Sequence, residues 1–278
     1  MFWIVLVFVF GFGLAIGSFL NAYIYRLHAE QSVMKGRSFC PWCKKTLRAK
    51  DLLPIVSFVL LKAKCRFCKM KISWQYPLVE AGTAFLFVLG YLHFIGNPFS
   101  DTLVLADVAA FVSYLCAATI FLVIFVYDLK YYLILDKVTV PAFFVLLFFA
   151  ILSIVLQKGA FSGWVSGVAL PLLLYLAAGL IGGGFFALQF LISRGKWVGG
   201  GDIRLGVLMG MALGLKQVFL ALFLAYVGGS LISLGLIMFK KKKLNSQIPF
   251  AVFLVPSTLA VLLYGGAISS WYITIFSL

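Results

Sequence analysis

Apolar runs of about 17–25 residues, parted by short polar or basic stretches, recur along the whole chain, and each is long enough to cross a bilayer as a helix. They predict helices over 2–24, 77–96, 103–127, 137–157, 163–192, 203–216, 218–239 and 248–276. The sixth is short and glycine-rich, and the fifth is long enough to tilt or to extend beyond the bilayer. Only 26–76 reads as a soluble piece of any size. Within it Asp51–Leu61 is apolar but too short to span, and is expected to lie against the membrane or on the rest of the loop. The fold class is therefore an all-α polytopic membrane protein with about eight transmembrane helices, divided into a first helix over 1–25, a loop over 26–76 and a membrane core over 77–278. Met1–Ala22 has no basic leading segment and no small-residue cleavage site, so it reads as a retained helix.

Composition agrees, with 64% hydrophobic and 11% charged residues. A net charge of +15 would suit a nucleic-acid partner, but topology accounts for it first. Of the 23 Lys and Arg residues, 21 fall in or beside the segments 26–76, 128–137, 194–204 and 240–243, all on one side of the predicted bundle. Lys158 and Lys216 are the two on the other side. The basic side is then cytoplasmic and both termini face outward. Lys240–Lys243 reads as a stop-transfer cluster beside anionic membrane lipid, and no nucleic-acid partner is expected.

Asp202 follows three consecutive glycines, Gly199–Gly201, in a chain that otherwise spends few ionisable groups in its apolar part. A helix restarting near Ile203 would put Asp202 in its first turn, where the dipole favours a carboxylate. Asp128 ends the third predicted span and so lies at the same cytoplasmic edge. Two acids brought together at one depth form a pair in which one ionises while its partner stays protonated, the arrangement that activates water for peptide hydrolysis. Alternatively, each merely caps or flanks a helix. No Ser/His pair or metal-bound water is visible in the spans. Asp136 is a rival to Asp128, although Lys137 beside it favours a helix cap or ion pair.

The loop carries Cys40-Pro-Trp-Cys43 and Cys65-Arg-Phe-Cys68, 21 residues apart. Two such knuckles can close a tetrahedral four-thiolate zinc site, structural in kind because no ligand position is left open. A redox pair is the alternative, disfavoured on a reducing side. Cys116, alone in an apolar span, reads as packing, and Asp107 is assigned no role. His28 and His93 fall on opposite sides and cannot share a metal. Glu80 lies early in the second span, where a buried acid wants a partner, and Arg26 is available on the same side for a structural ion pair.

These residues together resemble the type IV leader peptidases of bacteria, which mature prepilins and pseudopilins. The resemblance covers nearly the whole chain: the segment 17–27, the two Cys pairs, Tyr76–Glu80, the segment 128–136 and Gly199-Gly200-Gly201-Asp202-Ile203-Arg204. It implies an aspartyl endopeptidase facing the cytoplasm that removes a basic leader, with Asp128 and Asp202 as the catalytic pair. In bifunctional members it also implies S-adenosylmethionine-dependent methylation of the new amino terminus, with the loop 26–76 as the candidate region. Asn21, Arg26 and Glu80 are then candidates for the methyl-donor site or for substrate positioning. Two departures stand out: Ile134-Leu135 where the family often has Ile-Pro, and Arg204 where a lysine is usual. The competing classes are a peptidase without methyl transfer, a transporter with mid-bilayer acids, and a scaffold that uses the basic loop.

Overall fold

A computed structural model of the protein describes residues 2–33, 36–96, 105–158, 170–239 and 249–276. The Lys240–Lys243 cluster and the expected beginning of the fifth span, 163–169, lie outside the described residues. The chain divides into two compact units, Met1–Asp101 and Thr102–Leu278.

In the first unit, α1 (Phe2–His28) packs along α3 (Gln75–Phe94). The stripe Gly13, Gly17, Leu20, Asn21 and Ile24 is buried, at the three- and four-residue spacing of one helix face. Its glycines let the backbones touch, since a Cβ on Gly17 would stand 2.7 Å from the Cα of Glu80 and one on Gly13 would stand 2.6 Å from the Cα of Ala84. Such small-residue seams are how helices associate where lipid offers no hydrophobic drive. Between the two helices runs the polar loop, which holds a 3₁₀ turn at Ala49–Asp51 and the short α2 (Val56–Leu60). So the apolar stretch 51–61 does not span, as expected.

The second unit contains α4 (Leu105–Tyr131), α5 (Asp136–Lys158), α6 (Leu170–Ser193), α7 (Gly200–Leu213), α8 (Leu215–Met238) and α9 (Ala251–Phe276). Seven of the described helices are long and apolar enough to cross a membrane. The expected sixth span is α7, whose 14 residues reach about 21 Å against a hydrocarbon core of about 30 Å. It packs on α5, α6, α8 and α9, and Leu205, Leu208, Met209 and Met211 are all buried. A helix too short to span is tolerated there because protein, not lipid, surrounds it.

The α6–α7 seam explains much of the glycine content. A Cβ on Gly206 would strike the carbonyl of Gly182, and one on Gly210 the carbonyl of Ala178. Backbone cannot give way as a side-chain tip can, so Gly210→Leu is expected to displace α7 and cost at least about 3 kcal/mol. A fall in melting temperature and lost resistance to proteolysis would report it. Gly214, at φ 74° and ψ 174°, then turns the chain from α7 into α8 with a single residue, a conformation essentially reserved for glycine.

Candidate active site and metal centre

Asp202 stands in the first turn of α7, and its Oδ2 accepts a hydrogen bond of 3.0 Å from the Gly199 amide. One of the orphan donors at the helix start is thereby satisfied. Gly201 permits the approach of the α4–α5 connection, because a Cβ there would lie 2.9 Å from the Cβ of Ile134. Arg204, half a turn on, pairs with Asp136 in the first turn of α5, which ties the two helix starts together. Asp136 is thus the ion-pair partner that the sequence suggested.

Asp128 lies in the last turn of α4 and is 6% exposed. Its carboxylate accepts a hydrogen bond from the amide of Ala251, the first residue of α9. Each of the two acids therefore sits against a helix N-terminus, Asp202 at its own and Asp128 at one more than a hundred residues away in the chain. The two carboxyls lie within electrostatic reach of one another. Burial and fixed amide donors hold the pair without using all of its oxygens, since the Gly199 amide occupies only Oδ2 of Asp202.

An aromatic cluster adjoins Asp202. Tyr226 of α8 is within reach of the Asp202 charge, and its hydroxyl donates to Oε1 of Gln189 on α6 at 2.9 Å. The Tyr226 ring packs on Phe250 at 5.0 Å and meets Phe185 edge-on at 5.8 Å. Phe250 immediately precedes the residue whose amide caps Asp128. Sequence reading missed Tyr226 and Gln189, because a tyrosine and a glutamine in apolar helices carry no local signal of what they face.

In the first unit, the Sγ atoms of Cys40, Cys43, Cys65 and Cys68 all lie within 4.8 Å of one another. The Cys40–Cys68 separation of 3.8 Å matches the edge of a tetrahedron with bonds of about 2.3 Å to zinc. The two knuckles repeat each other. Cys40 and Cys65 accept from the amides of Lys44 and Lys69 and donate to the carbonyls of Lys45 and Met70. Lys44 and Lys69 have φ of 57° and 60°, and the bridges Phe39–Thr46 and Lys64–Lys71 close the two turns. Burial raises the Cys65 thiol, but the Cys68 and Phe67 amides and the neighbouring thiols outweigh it and bring Cys65 down to about 7. A thiol that ionises near neutrality gives up its proton to a metal most readily.

Asp51 braces this unit. Arg66, inside the second knuckle, donates to Oδ1 of Asp51 from Nε at 2.8 Å and from Nη2 at 2.6 Å, and the Arg48 amide donates to Oδ2 at 3.2 Å. The guanidinium holds the Asp51 carboxyl below the usual carboxylate range. An acid buried within a basic loop is thereby explained as the centre of the fold of that loop.

Asn21, Arg26 and Glu80 all occupy the first unit, and each makes backbone contacts. The amide of Asn21 donates to the Tyr76 carbonyl at 3.0 Å and to that of Gly17 at 3.3 Å, stitching α1 to α3. Arg26 donates to the carbonyls of Val33 and Gly36 at 3.0 and 2.8 Å. Glu80 accepts at 2.7 Å from the amide of Ile55, a β-branched residue held at φ 58°. The expected Arg26–Glu80 ion pair does not form, because the guanidinium closes the turn after α1 and the carboxylate anchors the start of α2. Cys116 is a half-buried free thiol in α4, in keeping with a packing role.

Two family profiles match: the bacterial peptidase A24 N-terminal domain over residues 11–94 and the type IV leader peptidase family over 115–234. The chain is 32% identical to the prepilin leader peptidase/N-methyltransferase of Bacillus subtilis, over 95% of this chain and 96% of that protein. It belongs to the type IV leader peptidase family. Proteins of the same name from Aeromonas hydrophila and Legionella pneumophila are 30% and 29% identical, over 99% and 94% of this chain and 96% and 92% of theirs. No solved structure matches the chain. The two matched regions fall one in each compact unit, so the division of the family into an N-terminal domain and a peptidase coincides with the division of the fold.

Proposed function

We propose that this membrane protein cleaves the basic leader from type IV prepilins or pseudopilins and then methylates the new amino terminus. The observation that carries the peptidase half is the meeting of Asp128 and Asp202, each at a helix N-terminus and within reach of the other's charge. One carboxylate takes a proton from water while its protonated partner polarises the scissile carbonyl. The water oxygen bonds to the carbonyl carbon, the carbon–nitrogen bond breaks, and the departing amine takes a proton back from the pair. Both acids stand at helix ends, the depth at which a substrate with a basic leader in the cytoplasm and an apolar helix in the inner membrane presents the bond between them.

The first unit supplies the second activity. Cys40, Cys43, Cys65 and Cys68 would hold zinc, and a four-thiolate site with no open position would be structural, fixing the basic loop as one body. S-adenosylmethionine, when bound, furnishes the methyl group. Asn21, Arg26 and Glu80 serve by positioning, as their bonds to Tyr76, Val33, Gly36 and Ile55 support.

Purified protein, a prepilin and methyl-labelled S-adenosylmethionine test both halves at once. A shortened pilin that carries label is expected. Cleavage without label restricts the activity to the peptidase, and an intact prepilin refutes the assignment.

A further inference from the structure

Gln189, in the last turns of α6, has hydrogen-bond donors to spare. Its Oε1 takes the Tyr226 hydroxyl proton at 2.9 Å, and its amide N–H₂ has no partner among the described residues. The Tyr226 ring is wedged between Phe185 and Phe250, so the phenol fixes which way the amide turns. On the α6–α7 seam Gly210 meets Ala178, and Gly206 meets Gly182 and Phe186, so Asp202, one turn before Gly206, falls level with the last turns of α6, where Gln189 stands. Gln189 is half-buried, one turn before the end of α6.

A peptide bond must leave its helix before it can be hydrolysed, and an opened segment at the membrane boundary exposes carbonyl and amide groups that lipid cannot satisfy. An enzyme acting there has to supply the missing partners. Resting on the peptidase reading above, we infer that Gln189, oriented by the Tyr226 hydroxyl, donates its amide N–H to a main-chain carbonyl of the extended substrate segment beside the scissile bond. Gln189 is then a substrate-binding residue, and Tyr226 a positioning residue that acts through it. Main-chain recognition of this kind is indifferent to the side chains of the substrate, which suits cleavage of several pilin-like proteins by one enzyme.

Steady-state cleavage of a purified prepilin by the full-length protein tests this, using Gln189→Met, Tyr226→Phe and the double variant. Gln189→Met keeps the length of the side chain and removes the donors, and should raise KM about tenfold, the worth of one desolvated hydrogen bond. Tyr226→Phe keeps the ring and should raise KM by a smaller factor. The double variant should match Gln189→Met, because Tyr226 has nothing left to orient. A merely structural link between α6 and α8 would instead lower the melting temperature of both single variants and leave KM within about twofold of the wild type. That result, or additive effects in the double variant, overturns the inference. Wild-type protein in the same assay separates the two levels: if it cleaves and Gln189→Met cleaves equally well, only the Gln189 role falls, whereas failure of the wild type refutes the peptidase reading itself.

Discussion

Asp128→Asn and Asp202→Asn should each abolish leader removal, lowering kcat by a factor of about 10³ or more with expression and membrane insertion intact. Asparagine is isosteric with aspartate, and each wild-type carboxylate makes a bond that asparagine can also make. The Gly199 amide can donate to the side-chain oxygen of an asparagine at position 202, and the Ala251 amide to that of one at position 128. What the amide cannot do is exchange a proton. Loss of cleavage with the fold retained would therefore separate chemistry from capping, which is the bland alternative for both residues. Conversely, a variant that cleaves at an appreciable fraction of the wild-type rate would leave that residue as a helix cap.

The second large effect concerns the four thiols. Cys40→Ser or Cys65→Ser should reduce bound zinc from one per chain to a small fraction and leave the loop open to proteolysis between α1 and α3. The polar loop has very little secondary structure of its own, one short helix and a 3₁₀ turn among its described residues, so metal binding must supply what an apolar core would otherwise provide. The Asp51–Arg66 brace runs directly into the second knuckle, so it is expected to loosen once the knuckle opens. Metal analysis and limited proteolysis of the same preparations check both statements. Zinc content unchanged in either variant would refute the four-thiolate site. Because α1 and α3 are sealed by Gly13, Gly17 and Asn21 and not by the loop, the membrane-embedded part of this unit should persist.

Most of the fold was legible because a bilayer leaves few choices. Apolar run length alone located every long helix to within a few residues, apart from the expected start of the fifth at 163–169. Position near a span end put Asp128 and Asp202 at helix ends. The knuckle spacing was enough to bring four thiols together, since a Cys-x-x-Cys turn is local and only the pairing of two turns is tertiary. What was not legible was long-range. Nothing in the sequence around Ala251 announces that its amide caps Asp128, and nothing in α6 or α8 marks Tyr226 as lying within reach of Asp202 or Gln189 as the partner of Tyr226. The Arg26–Glu80 pair failed for a related reason. Opposite charges on one side of a membrane invite pairing, but turn carbonyls after α1 and a strained amide at Ile55 were nearer claims on the same groups. The sixth predicted span is a helix where expected, but at 14 residues it is shorter than a bilayer crossing, and hydropathy cannot tell a helix buried in protein from one bathed in lipid.

Cross-linking in the membrane tests the central claim, that the two acids share one site. Asp128→Cys and Asp202→Cys are introduced together with Cys116→Ala, and each engineered thiol is first shown to react with a monofunctional reagent. The shortest bifunctional thiol reagent is then expected to join the two within one chain in high yield. Failure to join them, with both thiols reactive and longer reagents alone succeeding, would mean that the carboxylates act apart and that the hydrolytic mechanism is wrong.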